Sequence, residues 1–251
     1  MKKIVIIPAR LSSSRLPGKV LLDLKGKSVV QRVYEQVKKT NLIDEVYIAT
    51  DSLEVQKECQ KFTNNVILTS DHHESGTDRI AEAIEKIECD MVINVQGDEP
   101  FIEPELIDKF VKTFEEEKFD MASAMHRLVL VEELKNPNVV KVIINKKNEA
   151  IYFSRSIIPH HRDEWDTLLN HHVKIPQSLN FYRHLGIYAY SKEFLLEYSK
   201  MEMTYLERLE KLEQLRVIEN GYKIKMIETN YESIGIDTQS DYEKALEMIN
   251  E

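Results

Sequence analysis

Short apolar runs alternate with longer amphipathic stretches along the first part of the chain. Residues 2–7, Lys-Lys-Ile-Val-Ile-Ile, are rich in β-branched side chains and read as a central strand of a parallel sheet. Residues 27–39 carry Val29, Val30, Val33, Tyr34 and Val37 at helical spacing, with Gly26 before them and Asn41 after. The same alternation repeats. Strands are expected at 45–49, 65–68 and 91–95, with helices through 55–62 and 80–87 between them. Asp51-Ser52 reads as the cap of the first of these helices. Successive strand–helix units of this kind predict an α/β fold with a doubly wound, mostly parallel sheet.

From Met121 the pattern changes. Strand-like runs at 121–128, 139–144 and 149–153 are separated by polar turns, the last two forming a hairpin. Residues 154–180 are polar, contain Pro159 and Pro176, and read as an irregular excursion. A strand returns at 181–190, where Gly186 is expected to admit a close neighbour. Thr204-Tyr205-Leu206-Glu207 is a capping box that opens a helix running to Asn220-Gly221. Leu206, Leu209, Leu212 and Leu215 mark one packed side of that helix, while Glu210, Glu213, Gln214 and Val217 share a face. Short strands at 222–227 and 231–236 precede a final amphipathic helix, for which Asp237 is a candidate N-cap.

Composition narrows the class. At 251 residues and 42% hydrophobic content the chain can bury a full core. The formal charge of −9 argues against nonspecific nucleic-acid binding, so an anionic ligand has to be held by local cations. Cys59 and Cys89 lack CxxC spacing and read as reduced thiols of a cytoplasmic protein. No apolar run approaches membrane-spanning length, and a signal peptide is not expected.

Two loops leave parallel strands at the sheet edge where open α/β sheets bind ligands. The first, residues 8–19, carries Arg10, Arg15 and Lys19, the hydroxyls of Ser12, Ser13 and Ser14, and Pro17-Gly18. Cations and small residues suit phosphate, although a basic surface loop is an equally good reading of this stretch alone. It contains neither GxxxxGK[ST] nor GxGxxG. The second loop, Gln96-Gly97-Asp98-Glu99-Pro100, presents Asp98 at the same edge. Beside a phosphate loop that carboxylate suits Mg²⁺, the alternative being a turn Asp satisfied by backbone N–H groups. The paired histidines His72-His73, His160-His161 and His171-His172 lack zinc-site spacing.

The first loop, Ser75-Gly76-Thr77-Asp78-Arg79, the segment 94–100, Tyr152-Phe153-Ser154-Arg155, the segment 183–188, Leu212-Glu213-Gln214-Leu215-Arg216 and Gly235-Ile236-Asp237-Thr238 together resemble one family, the 3-deoxy-manno-octulosonate cytidylyltransferases, also called CMP-Kdo synthetases. The motifs fall in order over almost the whole chain. Two flanking positions depart from the pattern: 231–235 lacks an expected proline and second glycine, and Gln239 stands where proline is expected.

The resemblance implies a Rossmann-like nucleotide-diphospho-sugar transferase fold, with helices on both faces of the sheet and a β-rich excursion. It implies one nucleotidyltransferase domain over 1–251, with a nucleotide-binding half at 1–120, a sugar-binding and dimerisation half at 121–236, and a C-terminal helix at 237–251 packing back on the core. The implied reaction joins CTP and the sugar acid Kdo, giving CMP-Kdo and pyrophosphate for lipopolysaccharide assembly. Carried over by motif, Arg10, Lys19 and Asp98 are catalytic, and Ala9, Ser14, Ser75, Arg79 and Gln96 join Arg10 and Lys19 on the nucleotide. Asp98 and Asp237 hold Mg²⁺, while Arg155, His184, Tyr188, Glu213 and Gln214 surround the sugar. A cytoplasmic homodimer is implied as well. The alternatives are an enzyme charging 8-amino-Kdo or sialic acid, and a nucleotide-binding regulator without catalysis. Lys19, Asp98 and Asp237 together weigh against the regulator, because binding alone does not need two such carboxylates.

Overall fold

The computed structural model describes every residue except Ser14, Glu74, Ser233, Asn250 and Glu251. In chain order the elements are β1 (Lys3–Pro8), α1 (Val29–Val37), β2 (Glu45–Thr50), α2 (Leu53–Cys59), β3 (Val66–Leu68), α3 (Gly76–Ile84), β4 (Met91–Asn94) and α4 (Pro104–Glu117). They continue as β5 (Met121–Arg127), α5 (Val131–Lys135), β6 (Lys141–Ile144), β7 (Ala150–Ser154), α6 (Trp165–His171), β8 (Tyr182–Ser191), α7 (Lys192–Tyr198), α8 (Tyr205–Glu210), α9 (Leu215–Glu219), β9 (Ile224–Glu228) and α10 (Gln239–Met248).

Two units share the chain. The first comprises Met1–Lys118, Ile187–Ser199 and Tyr231–Glu251, so residues 187–199 and 231–236 group with the amino-terminal part rather than with the 121–236 half. Within it β1 pairs in parallel with β2 and β4, and β2 with β3. The second half of β8 closes this side of the sheet antiparallel to β4, with Asn94 opposite Tyr188. Ile4 to Ile7 are fully buried, as an unbroken apolar run in a covered parallel strand requires. Helix α1 buries Val29, Val30, Val33 and Val37, the face set by its 3.6-residue period. Helix α4 was not among the expected elements, yet Pro104 stands in its first turn and Leu106, Phe110 and Phe114 are buried along one side.

The second unit comprises Phe119–Gly186 and Lys200–Asn230. Here β5 and β9 pair in parallel, and β6 and β7 form the expected hairpin. The excursion is less irregular than its composition suggests. Leu168 of α6 packs with Leu128, Val131, Leu134, Ile175 and Phe181 in a core of its own.

Three expectations need correction. The helix expected from 205 to 220 is broken, because Lys211 takes the left-handed conformation (φ 53°, ψ 48°) between α8 and α9. The break has tertiary causes: the Glu210 carboxylate accepts Ser154 Oγ at 2.6 Å and Arg155 N–H at 2.9 Å, and Arg155 Nε donates to the Glu210 carbonyl at 2.7 Å. Glu210 therefore does not share a continuous face with Glu213, Gln214 and Val217, and Leu209 is 63% exposed. Residues 231–236 form no strand among the described residues; instead Ile236 N–H donates to the Asp98 carbonyl at 2.9 Å. Gly186 has nothing within 4 Å of where a Cβ would stand, so no close neighbour explains it.

Candidate active site

The first unit gathers its chemistry where β1, β2, β3 and β4 end. Gly18 takes φ 68° and ψ 16°, a conformation that side chains resist, and turns the loop into a short 3-10 helix that begins at Lys19. Across from it Gly97 passes so close to β1 that a Cβ there would lie 2.7 Å from the Pro8 carbonyl oxygen. That contact, with Val95 N–H donating to the Ile6 carbonyl, holds the turn carrying Asp98 against the exit of the first strand.

Lys19 is the meeting point. Its ammonium donates to Asp98 Oδ2, and at 2.7 Å to Asp237 Oδ1. Asp237 Oδ2 also pairs with Arg15 Nη2 at 3.0 Å. Burial alone would lower the Lys19 pKa, but the two carboxylates outweigh it and hold the pKa above its ordinary value. Asp237 is not the N-cap of α10. That role falls to Thr238, whose hydroxyl accepts Asp241 N–H at 3.3 Å. Leu24, Val29, Ile236 and Ala245 pack together beneath this corner and tie α10 to the segment after Lys19.

A cleft beside this cluster is lined by Arg10, Lys19, Ser75, Arg79, Gln96 and Asp98, which brings six of the predicted residues to one surface. Ala9 is fully buried behind it, its N–H donating to the Ala49 carbonyl at 2.8 Å. Ser14 lies outside the described residues. Ser75 caps α3, accepting Asp78 N–H at 3.1 Å, and so the positive end of a helix faces the cleft. Arg10 is exposed and pairs with no acid among the described residues. Asp51 does not cap α2; Ser52 accepts the N–H groups of Glu54 and Val55, leaving Asp51 to pair with Arg79 at 2.6 Å.

The predicted sugar residues divide between the units. In the first, Tyr188 stacks on Tyr190 with ring centroids 6.1 Å apart. In the second, Gln214 Nε2 reaches His184 Nδ1 at 3.4 Å, and His184 Nε2 lies 2.8 Å from Ser123 Oγ. Ser123 in turn donates to the Leu185 carbonyl at 3.1 Å, which makes the His184 proton reside on Nε2. Phe153 packs edge-on against the imidazole at 4.9 Å, and enclosure, with Arg183 nearby, lowers its pKa to about 3. His184 is therefore a neutral, hydrogen-bonded histidine. Besides Nε, the Arg155 guanidinium gives Nη1 to the Pro137 carbonyl at 3.2 Å, so part of the fork expected for a sugar carboxylate holds main chain. Glu213 follows the break at Lys211 and is half-buried.

One residue that the sequence reading passed over is Lys141. It is fully buried and donates to the carbonyls of Asn136, Val139 and Arg155 at 3.0, 2.6 and 2.7 Å. Burial lowers its pKa. A lysine in the middle of a strand-like run was the available signal.

The cytidylyltransferase family model matches residues 4–226. Over full length the chain is similar to 3-deoxy-manno-octulosonate cytidylyltransferases of Geotalea uraniireducens (46% identity, 99% of each chain) and Fusobacterium nucleatum (47% identity, 100% of this chain and 98% of the relative). A solved structure of CMP:2-keto-3-deoxy-manno-octonic acid synthetase complexed with CTP superposes with a TM-score of 0.91 at 36% identity, covering 100% of this chain and 99% of the other. A 4-diphosphocytidyl-2C-methyl-D-erythritol synthase from Anaerococcus prevotii, at 16% identity and a TM-score of 0.61 over 100% of this chain and 99% of the other, shares the fold alone. With a family match over most of its length and relatives this similar from end to end, the chain belongs to the cytidylyltransferases, in the 3-deoxy-manno-octulosonate family.

Proposed function

We propose that the chain transfers CMP from CTP to the anomeric hydroxyl of 3-deoxy-D-manno-octulosonate, releasing pyrophosphate. The observation that carries this reading is the convergence of Asp98 and Asp237 on one lysine at the rim of a cleft lined by cations. Attack on the α-phosphorus needs in-line positioning and neutralisation of charge on the leaving pyrophosphate, and no covalent help from the protein. Arg10 and Lys19 supply positive charge for the triphosphate, and the backbone around Ala9 bounds it. Ser75, Arg79 and Gln96 take the cytosine or its ribose with fixed donors and acceptors. A site of this kind rejects a wrong base by leaving polar groups unpaired.

Two hard carboxylate oxygens within reach of a single cation fit Mg²⁺, which is usually bound by one or two carboxylates plus substrate phosphates. Among the described residues no group of three or more His, Cys, Asp or Glu side chains could hold a metal ion, so Asp98 and Asp237 would hold Mg²⁺ only together with ligands from outside the protein. When bound there, Mg²⁺ neutralises phosphate charge and favours ionisation of a coordinated hydroxyl. Lys19 keeps the two carboxylates together.

Arg155, His184, Tyr188, Glu213 and Gln214 take the sugar acid. Arg155 offers its remaining N–H groups to the carboxylate. With a pKa of about 3, His184 acts as a neutral fixture that keeps its single ring proton and carries no charge near neutral pH. Membership of the family supports a homodimer working in the cytoplasm for lipopolysaccharide assembly, and among the described residues no helix is long and apolar enough to cross a membrane.

Pyrophosphate release with each nucleoside triphosphate, with and without Mg²⁺, tests the proposal against Kdo, 8-amino-Kdo and sialic acid. Turnover is expected with CTP, Kdo and Mg²⁺ together. Preference for another sugar acid would reassign the acceptor, and CTP binding without turnover on any sugar would replace the enzyme with a regulator.

A further inference from the structure

Arg79 lines the cleft although only 3% of it is exposed. A guanidinium so enclosed can point one way only if its other N–H groups are held. Its Nη2 donates to Asp51 Oδ2 at 2.6 Å, and its Nη1 to Thr69 Oγ1 at 2.6 Å and to the Ser70 carbonyl at 3.3 Å. The partners come from different places: Asp51 follows β2, and Thr69 and Ser70 follow β3. Each is itself fixed. Ser52, next to Asp51, caps α2, and Thr69 N–H donates to the Thr50 carbonyl at 2.9 Å. Of the five N–H groups, Nε–H and one on Nη2 find no partner among the described residues and are left for the cleft.

We infer that Asp51, with Thr69, is a positioning residue for the nucleotide: it locks the plane of the Arg79 guanidinium so that the two remaining donors meet an acceptor edge of the base or ribose. The inference rests on the proposed role of Arg79 at the nucleotide and extends it to a residue outside the cleft. Arginine, unlike lysine, presents donors in a rigid fork, and a rigid fork reads acceptors only when its plane is held. Fixing it in the free protein removes an ordering cost from binding.

The test measures CTP affinity by calorimetry without sugar acid, so that no nucleotide is consumed, and steady-state kinetics with it. Asp51→Asn and Thr69→Val should each weaken CTP binding by about tenfold, corresponding to about 1.4 kcal/mol, and raise KM for CTP while kcat changes less than about threefold. Arg79→Lys should weaken CTP binding at least as much. Adding Asp51→Asn to Arg79→Lys should then cost nothing further, since Asp51 acts only through the fork. If Arg79→Lys weakens CTP binding but neither Asp51→Asn nor Thr69→Val does, the positioning role is wrong while the nucleotide role of Arg79 stands. Additive losses in the double variant would equally overturn it. If Arg79→Lys leaves CTP binding intact, the reading of Arg79 at the nucleotide fails and the inference with it. Thr69→Val, which leaves the ion pair in place, keeps the test decisive should Asp51→Asn fold poorly.

Discussion

Replacing Gly97 by alanine adds one methyl group where the structure has no room for it. The new Cβ would stand 2.7 Å from the Pro8 carbonyl oxygen, and 3.4 and 3.5 Å from Ala9 Cβ and Cα. Reaching ordinary contact with that oxygen needs an opening of about 0.7 Å between the two turns, and both obstacles are backbone or fully buried. Overpacking of this kind costs about 1–3 kcal/mol, which in a chain of this length lowers Tm by about 2–12 °C. The displacement falls on the turn that carries Asp98 and on the strand exit that leads to Lys19. Because misplacement near one ångström in a reacting site costs about 10²-fold, kcat/KM should fall between about tenfold and a hundredfold. Thermal unfolding followed by circular dichroism, together with pyrophosphate release, measures both. Unchanged Tm and unchanged kcat/KM in Gly97→Ala would show that the two turns are not clasped as described.

Lys19→Met leaves Asp98 and Asp237 facing each other without their shared ammonium; kcat should fall by about 10²–10³-fold, with stability lower by about 1–3 kcal/mol, and a near-normal rate would remove Lys19 from the site. His184 gives a pH signature. Its folded pKa of about 3 lies below its ordinary value of 6.5, so the unfolded chain takes up the proton first and stability falls as pH drops from 6.5 towards 3. At pH 5 this amounts to about 2 kcal/mol, and in His184→Gln the urea midpoint should fall less between pH 7 and pH 5 than in the parent; equal falls would refute the assignment. Equilibrium sedimentation of the intact chain should return twice the mass of the 29.4 kDa protomer, and a monomer at working concentration would refute the homodimer.

What the sequence disclosed follows from how local each determinant is. The strands β1, β2 and β4 were legible because their short apolar runs are rich in β-branched residues and too brief for a helix, and α1 because four valines repeat at its period. The break between α8 and α9 was not legible. Its cause is Ser154 and Arg155 reaching Glu210, more than fifty residues away in the chain. Helix α4 was overlooked although Pro104 in its first turn was a readable start signal. At the site, the cations of the first loop and Asp98 could be read from their position after strands, whereas Lys19 and Asp237 meet across a separation of 218 residues. Motif resemblance joined those two, since no local pattern could. The Asp51–Arg79 pair was hidden in the same way, because Asp51 beside Ser52 has a sufficient local explanation as part of a helix cap.

The central claim is that Asp98 and Asp237 act as a pair to hold the divalent ion that accompanies CTP. Mn²⁺ bound to the protein with CTP present, read from the loss of its free electron paramagnetic resonance signal, tests it most directly. Parent protein should bind Mn²⁺ in the presence of CTP, and Asp98→Asn and Asp237→Asn should each weaken that binding by at least about tenfold while circular dichroism is unchanged. Parental Mn²⁺ affinity in either variant would contradict the account.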